Sequence, residues 1–356
     1  GHQRLSILDL SMNGAQPMIS HSGKTAITYN GEIYNFARVR EQLERDAAAK
    51  GQRIEFRSTC DTEVLQEAIE FYGMEKALSL CKGMFAIACY EIETGTLMLA
   101  RDRIGEKPLY YGWLSGISAG RESGSGAAEG IAGRGCVFVF SSDLGSIRAI
   151  RGFSNPIREE VLDLYFEHGV IPAPYTIYQD IYKLEPGTIM TLKAPFTEDA
   201  AERQTFWSVT DVAVHGQKNL FAGTREEAAD ELERLLRASI RDQMVADVPL
   251  GAFLSAGIDS GTIVSLMQQE SSRKVKTFTI GMEDPSYNEA ACAAQIARHL
   301  GTEHTELTIT EEDAKAVIPL LPSMFAEPFA DSSQIPTYLV SRMTREHVTV
   351  SLSGDA

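Results

Sequence analysis

The sequence contains few cysteines, and none of them pair at short spacing. The five are scattered along 356 residues: Cys60, Cys81, Cys89, Cys136 and Cys292. An odd number of widely spaced cysteines without a Cys-x-x-Cys pair argues against a disulfide framework and against a structural zinc site. Isolated cysteines are typical of a reducing compartment, so we expect a cytoplasmic protein.

Long apolar runs and an excess of positive charge are also missing. No apolar stretch approaches the ~18 to 20 residues that a membrane-spanning helix needs, and the first residues lack the apolar segment of a signal peptide. Asp and Glu total 49 against 33 Lys and Arg, a formal net charge of −16. This balance argues against a membrane surface or a nucleic acid as the main partner. Small anions remain compatible with it, because helix N-termini bind them locally.

What the chain does contain is enough apolar material for two folded domains. Hydrophobic residues make up 44% and charged residues 23%, which is the composition of a soluble globular protein. The length exceeds that of one ordinary domain. The pattern of the sequence changes near residue 206, so we predict one domain over residues 1–205 and a second over residues 206–356.

The first half consists of short alternating segments interrupted by helical patterns at residues 35–50 and 61–72. The pair Asn30-Gly31 between extended segments predicts a hairpin turn, because both residue types tolerate positive φ. Strands in runs with helices kept apart predict a layered α+β domain. Residues 115–135 are rich in Gly and Ser without an apolar period. They predict a flexible loop inserted between two strands.

The second half alternates between apolar strands and helices. Strands are predicted at residues 248–254, 275–281, 303–307 and 348–352, and helices at residues 225–244, from Gly261 onward, and at residues 288–300. This alternation predicts an α/β domain with a doubly wound parallel sheet. Ligands of such sheets bind at the carboxyl ends of the strands.

The sharpest motif follows the first of these strands. Residues 254–261, here called the phosphate loop, have the sequence Leu-Ser-Ala-Gly-Ile-Asp-Ser-Gly and join a strand to a helix. Backbone N–H groups at the positive end of a helix dipole cradle phosphate, and Asp259 is suited to a Mg²⁺ ion that also binds phosphate oxygens. The motif is neither a Walker A loop nor a nucleophile elbow. The alternative is an ordinary Ser/Gly turn that caps a helix.

The phosphate loop resembles the Ser-Gly-Gly-x-Asp-Ser loop of ATP-pyrophosphatases, which cleave ATP between the α and β phosphates. Ala256 stands where that loop has Gly. If this position required positive φ, Ala would cost on the order of 1 kcal/mol there.

Several further tracts, in order along the chain, resemble glutamine-dependent asparagine synthetase of the bacterial type. They are residues 4–7, 29–35, 60–63, 83–86, 100–111, 248–251, 277–281, 327–338 and 353–355. The resemblance implies an N-terminal αββα sandwich like that of N-terminal-nucleophile hydrolases, followed by an ATP-pyrophosphatase domain. It implies amidation of aspartate through a β-aspartyl-adenylate with ammonia from glutamine. A homodimer is compatible with it.

For the first half, the resemblance implies a glutamine site. Arg4 would bind the glutamine carboxylate, Glu32 and Asp61 its ammonium group, and Asn30 and Gly31 the oxyanion. One cationic and two acidic side chains suit free glutamine, which is a zwitterion. On spacing alone the alternatives are a surface ion pair for Arg4 and Asp61 and a plain turn for Asn30-Gly31.

The nucleophile of that family is an N-terminal cysteine whose α-amine is the base. Its place is upstream of Arg4, and this sequence has no cysteine there. We expect Cys60 to be a packing residue. We therefore expect a piece of a longer gene product, incomplete at both ends and without glutaminase activity of its own.

For the second half, the resemblance implies sites for ATP, Mg²⁺ and aspartate. Asp259 and Asp355 are the expected metal ligands. The expected ATP-binding residues are Leu254, Ser255, Gly257, Asp259, Ser260, Ile280, Ser353 and Gly354. Glu327, Asp331 and Ser332 lie in a matching tract without an assigned role, and a turn is the default for the latter two. Two alternatives stay open: a related amidotransferase acting on another carboxylate, such as a sugar acid, and a non-catalytic homologue.

Overall fold

The computed structural model describes residues 1–115, 136–283 and 289–354. These residues form two compact units. The first unit comprises Gly1–Leu5, Ser11–Lys218 and Phe325–Ala330, and the second comprises Ser6–Leu10, Asn219–Met324 and Asp331–Ala356. The domain boundary at 205/206 stays a prediction. The Gly/Ser-rich insertion predicted at residues 115–135 lies outside the described residues from residue 116 onward.

The first unit contains two antiparallel sheets. The larger has six strands in the order β1-β2-β3-β4-β8-β9, and the smaller has three in the order β6-β5-β7. The strand bounds are β1 Met18–Ile19, β2 Thr25–Ile33, β3 Gly83–Glu91, β4 Thr96–Arg101, β5 Tyr110–Ser115, β6 Cys136–Ser141, β7 Ile181–Lys183, β8 Thr188–Lys193 and β9 Glu202–Thr205. The helices are α1 Phe36–Ala49, α2 Asp61–Tyr72, α3 Met74–Leu80, α4 Leu144–Arg148, α5 Val161–His168 and α6 Val209–Lys218.

Strand β3 shows how the layers are built. Its Phe85, Ile87 and Cys89 pack into a core with α1, α2 and α3. The intervening Ala86 and Ala88 pack against the smaller sheet, because successive side chains of a strand point to opposite faces. A third core lies between that sheet and helices α4 and α5. The order helices, sheet, sheet, helices is the αββα sandwich that was expected.

The hairpin predicted at Asn30-Gly31 is wrong. Both residues lie within β2, where Asn30 pairs with Ala86 and Gly31 with Phe85. Gly31 is not among the residues with positive φ. A Cβ on Gly31 would stand 2.7 Å from the Phe85 Cα, so the glycine permits close approach of two strands instead of a turn.

The second unit contains a four-stranded parallel sheet in the order β12-β11-β10-β13. Its elements are α7 Arg225–Gln243, β10 Leu250–Phe253, α8 Ile258–Glu270, β11 Lys276–Met282, α9 Ala290–Leu300, β12 Glu303–Ile309, α10 Glu311–Val317, α11 Leu321–Met324, α12 Gln334–Arg345 and β13 Val350–Leu352. Helices α7, α8 and α9 share one core with the sheet, and α10 and α12 contribute to the other cores. The predicted doubly wound sheet is confirmed. Helix α8 begins three residues earlier than expected.

None of the helices among the described residues is both long and apolar enough to cross a bilayer.

Candidate functional site

Three side chains of the first unit form a buried group, here called the carboxylate cluster: Tyr29, Glu32 and Asp61. Asp61 opens α2 and is only 6% exposed. Its Oδ2 accepts hydrogen bonds from the Tyr29 hydroxyl at 2.8 Å and from the Ile33 N–H at 2.9 Å. Asp61 is therefore held between β2 and the start of α2, where the helix dipole favours a negative charge. The surface ion pair considered for it from the sequence does not apply.

The cluster brings two carboxylates into one electrostatic environment. Burial raises the pKa of Glu32 to about 7, and the charge of Asp61 adds to the shift while Lys107 opposes it. Burial also raises the pKa of Asp61, against the hydrogen bonds from Ile33 and Tyr29 and the charge of Arg4. Two buried carboxylates that resist ionisation gain stability when a cation binds between them.

The other predicted glutamine-site residues lie nearby in the same unit. The charge of Arg4 reaches Asp61, since it lowers the pKa of that carboxyl group. Asn30 is partly exposed within β2, two residues from Glu32. Cys60 immediately precedes Asp61 and is completely buried in the core, which agrees with the packing role expected for it.

In the second unit, the phosphate loop connects β10 to α8, and hydrogen bonds of its own hydroxyl groups hold its shape. The Oγ atoms of Ser255 and Ser260 are 2.8 Å apart. The Ser255 N–H donates to Ser260 Oγ at 3.1 Å, and the Gly257 N–H donates to Ser255 Oγ at 3.1 Å. These bonds fix the loop around Gly257, which is the N-cap of α8.

Two neighbouring strands bring further predicted residues to this loop. Leu254 donates its N–H to the Phe278 carbonyl at 2.9 Å and accepts from the Thr279 hydroxyl. Ile280 follows in the same strand, β11. Beyond β13, a Cβ on Gly354 would stand 2.7 Å from the Ser260 nitrogen, so the Gly354 backbone packs directly on the loop. Ser353 precedes it.

The loop suits a polyphosphate. Residues 258, 259 and 260 form the first turn of α8, where N–H groups have no acceptor within the helix. Asp259 is exposed in that turn, and one carboxylate is a common protein contribution to Mg²⁺ bound mainly through phosphates. Asp355, the second expected ligand, lies outside the described residues. Within the described residues, no three His, Cys, Asp or Glu side chains form a metal-ligating group.

Two details modify the expectations for the loop. Ala256 is not among the residues with positive φ, so alanine carries no backbone strain there. A cavity of about 590 Å³ borders the loop, but its walls are mainly side chains of α7, α8 and α9, and neither Leu254 nor Ile280 lines it. It is therefore distinct from the adenine pocket expected at those two residues.

Comparisons with protein families agree with this division of sites. Residues 1–207 match the glutamine amidotransferase domain family, and residues 231–356 match the asparagine synthase family. The chain belongs to the glutamine amidotransferase domain family. The carboxylate cluster lies in the amidotransferase match and the phosphate loop in the asparagine synthase match.

Two similar proteins align with the whole chain. A putative glutamine-hydrolysing asparagine synthetase 2 of Methanocaldococcus jannaschii is 32% identical over 100% of this chain and 64% of its own length. The glutamine-hydrolysing asparagine synthetase 1 of Bacillus subtilis is 32% identical over 100% of this chain and 50% of its own length. The chain thus spans 50% to 64% of the length of these two relatives.

A solved structure gives a weaker likeness. The glutamine phosphoribosylpyrophosphate amidotransferase from B. subtilis matches with 15% identity and a TM-score of 0.34, over 83% of this chain and 49% of that chain. The two sheets and their helices establish the fold of the first unit.

A segment of the asparagine synthase match folds with the first unit. Phe325–Ala330 belongs to that unit, and Glu327 within it forms a salt bridge with Lys183 in β7, both side chains being 12% exposed. Glu327 Oε2 also accepts from the Ile177 N–H at 3.2 Å. The motif tract pointed to Glu327, but nothing in the local sequence pointed to Lys183, 144 residues earlier.

The structure adds two site residues that sequence reasoning missed. Tyr29 lies inside a quoted tract, and its alternation with Ile27 in β2 marks it as buried, which was the available signal. Glu289, at the N-cap of α9, accepts the Ala256 N–H of the phosphate loop at 3.3 Å. No local pattern marks Glu289.

Asp331 has the predicted turn role, since its Oδ1 accepts the Ser333 N–H at 2.8 Å.

Proposed function

We propose that the protein amidates L-aspartate to L-asparagine, using ATP and ammonia released from glutamine. The proposal rests on the phosphate loop at the carboxyl end of β10, where the Ser255 and Ser260 hydroxyls lie 2.8 Å apart, within the residues 231–356 that match the asparagine synthase family. Parallel α/β sheets bind their ligands at that edge.

The carboxylate cluster supports glutamine as the nitrogen source. Free glutamine carries one ammonium and one carboxylate group. Glu32 and Asp61 offer buried negative charge to the ammonium group, and Arg4 offers positive charge to the carboxylate. We assign Asn30 and the Gly31 N–H to the oxyanion that forms when the amide is attacked.

The phosphate loop supports an adenylation step. A carboxylate oxygen of aspartate attacks the α phosphorus of ATP, the bond from that phosphorus to the bridging oxygen breaks, and pyrophosphate leaves with the electron pair. Ammonia then attacks the acyl carbon, loses a proton, and AMP departs. The first-turn N–H groups of α8 stabilise the charge on pyrophosphate. Leu254 and Ile280 would bind the adenine, and Ser353 and Gly354 would border the nucleotide.

Asp259 is the described residue that would hold Mg²⁺, and Asp355 is the second proposed ligand. When bound, the ion neutralises phosphate charge and orients the polyphosphate.

The test uses the complete gene product with ammonium chloride as nitrogen donor, which isolates the synthetase reaction from glutamine hydrolysis. Pyrophosphate release is measured with L-aspartate, L-glutamate or glucuronate. We expect release with aspartate alone, reduced on the order of 10²-fold by Asp259→Asn. Asp211→Asn, an exposed aspartate of α6, is the matched control. Release with glucuronate instead would identify a sugar-acid amidotransferase, and no release with any acid would favour a non-catalytic homologue.

A further inference from the structure

Gly14 closes a short turn whose backbone is held on several sides. Its N–H donates to the Ser11 carbonyl at 3.3 Å, and the next N–H, of Ala15, donates to the Met12 carbonyl at 3.0 Å. The Asn13 side chain donates to the Arg57 carbonyl at 3.2 Å. Gly14 itself is buried. This backbone has little freedom to move away from a new side chain.

The usual backbone reason for glycine does not apply at Gly14. The residue is not among the glycines with positive φ, so its conformation is open to any amino acid. The three atoms nearest to a Cβ placed on Gly14 would be Nη1, Cζ and Nη2 of Arg4, each closer than 3.0 Å. No backbone atom is among those three. The space that glycine leaves is therefore filled by the Arg4 guanidinium.

The same turn is tied to the carboxylate cluster. Two residues after Gly14, the Gln16 side-chain oxygen accepts the Tyr29 N–H at 2.6 Å, and the Tyr29 hydroxyl donates to Asp61. Arg4 in turn lowers the pKa of Asp61 through its charge. The turn at Gly14, which contacts the Arg4 guanidinium, is thus linked by hydrogen bonds to strand β2, which contains Tyr29 and Glu32 of the carboxylate cluster.

We propose that Gly14 is a positioning residue of the glutamine site: the absence of its Cβ lets the Arg4 guanidinium lie where it binds the α-carboxylate of glutamine. This inference rests on the proposed function. A methyl group at position 14 displaces the guanidinium, since a flexible side-chain end moves more readily than a hydrogen-bonded turn. The site for the ammonium group at Glu32 and Asp61 is left intact.

Two ligands distinguish the carboxylate end of the proposed site, at Arg4, from its ammonium end, at Glu32 and Asp61. L-Glutamine has both the carboxylate and the ammonium group, and 4-aminobutanamide is the same molecule without the carboxylate. Binding is measured calorimetrically on this chain, because binding requires no nucleophile. We expect Gly14→Ala to weaken L-glutamine about tenfold, the effect of losing one charge-assisted interaction, and to leave the affinity for 4-aminobutanamide unchanged.

A double-mutant cycle with Arg4→Ala provides the control for folding. Once the guanidinium is absent, adding Gly14→Ala should have no further effect on either ligand. If Gly14→Ala alone fails to fold, the clash predicts that Arg4→Ala/Gly14→Ala folds. Gly216→Ala is the matched control, because a Cβ there meets no atom within 4 Å, and it should bind both ligands as the wild type does.

Several results would overturn the inference. Wild-type glutamine affinity in Gly14→Ala would show that Gly14 does not position the Arg4 guanidinium. Equal weakening of both ligands, or a double variant that also fails to fold, would place the role of Gly14 in the backbone. If the wild-type chain binds neither ligand, the proposed glutamine site falls, and this inference falls with it. Glutamine binding that depends on Arg4 but not on Gly14 would refute the role of Gly14 and leave the proposed glutamine site intact.

Discussion

The Tyr29 hydroxyl donates a 2.8 Å hydrogen bond to Asp61 Oδ2, and it joins strand β2 to the first residue of helix α2. Burial, together with the adjacent Asp61 carboxylate, raises the pKa of Tyr29 well above its ordinary value. The phenol therefore stays protonated and remains a donor throughout the physiological pH range.

We expect Tyr29→Phe to lower the free energy of unfolding by about 1 to 3 kcal/mol, because the buried Asp61 carboxylate loses a donor while the ring is kept. Urea denaturation measures the change. Tyr90→Phe in strand β3, where the tyrosine is 37% exposed, is the control and should change stability by less than about 0.5 kcal/mol. Equal effects of the two substitutions would contradict the role assigned to this bond.

Glu32 makes stability depend on pH. Its pKa in the folded protein is about 7, raised from 4.5 first by burial and then by Asp61. A raised carboxyl pKa means that the fold favours the protonated form. The contribution of Glu32 to stability is therefore fully present below pH 4.5 and is lost as the pH rises through about 7.

The matched comparison is Glu32→Gln, which cannot ionise. Between pH 4.5 and pH 7 the free energy of unfolding of the wild type should fall relative to that of the variant, as measured by denaturation at each pH. A constant difference across this range would show that Glu32 ionises normally in the folded protein.

Glu289 accepts a hydrogen bond from the phosphate loop, so we expect its carboxylate to compete with a phosphate group there. Its carboxylate accepts the Ala256 N–H at 3.3 Å and places negative charge beside the expected polyphosphate. Glu289→Gln keeps an acceptor but removes the charge, so we expect a several-fold gain in affinity for ATP that diminishes as salt is added. Titration calorimetry at two ionic strengths measures both effects.

Glu346→Gln serves as the control for net charge, because Glu346 is an exposed residue at the end of helix α12. It should leave ATP affinity unchanged. Weaker ATP binding in Glu289→Gln would mean that the carboxylate supports the loop instead of opposing the ligand.

The partly buried pair Lys183–Glu327, with both side chains 12% exposed, should be coupled. Removing either charge alone leaves the other largely shielded from water without its partner, so Lys183→Met and Glu327→Gln should each cost about 1 to 3 kcal/mol. The double variant should cost clearly less than the sum. Thermal and urea unfolding of all four proteins give the coupling energy.

The exposed pair Lys315–Glu311 gives the comparison, since its side chains are 62% and 74% exposed. An i,i+4 pair of this kind contributes about 0.3 to 0.5 kcal/mol. A coupling energy for Lys183 and Glu327 no larger than this would show that their salt bridge is not maintained in solution.

Periodicity predicted the parallel sheet and the layered α+β class of the first half, because it reports which faces are buried, while the αββα order came from the family resemblance. The parallel sheet followed from apolar strands alternating with helices, and the helical pattern at residues 61–72 coincides with α2. Local turn chemistry failed at Asn30-Gly31. The pair tolerates positive φ, but the close approach of β3 at Phe85 determines the conformation of Gly31, and that contact is not visible in the local sequence.

The candidate sites were predictable only in part. The phosphate loop came from its Ser/Gly motif between a strand and a helix, whereas Asp61 and Glu32 came from a family resemblance, and their roles stay predictions. Their partners depend on contacts between distant parts of the chain: Lys183 for Glu327, Glu289 for Ala256, and Gly14 for Arg4. Single-sequence patterns carry no information about such pairs, since neither member constrains its neighbours along the chain.

The path of Phe325–Ala330 affects how such genes can recombine. Because this stretch folds with the first unit while its sequence matches the asparagine synthase family, a crossover near residue 207 would separate Lys183 from Glu327, its salt-bridge partner. A combination whose second half has no acid at position 327 would leave the partly buried Lys183 without its partner. We therefore expect an exchange of halves to be tolerated best when the donor supplies an acid at that position.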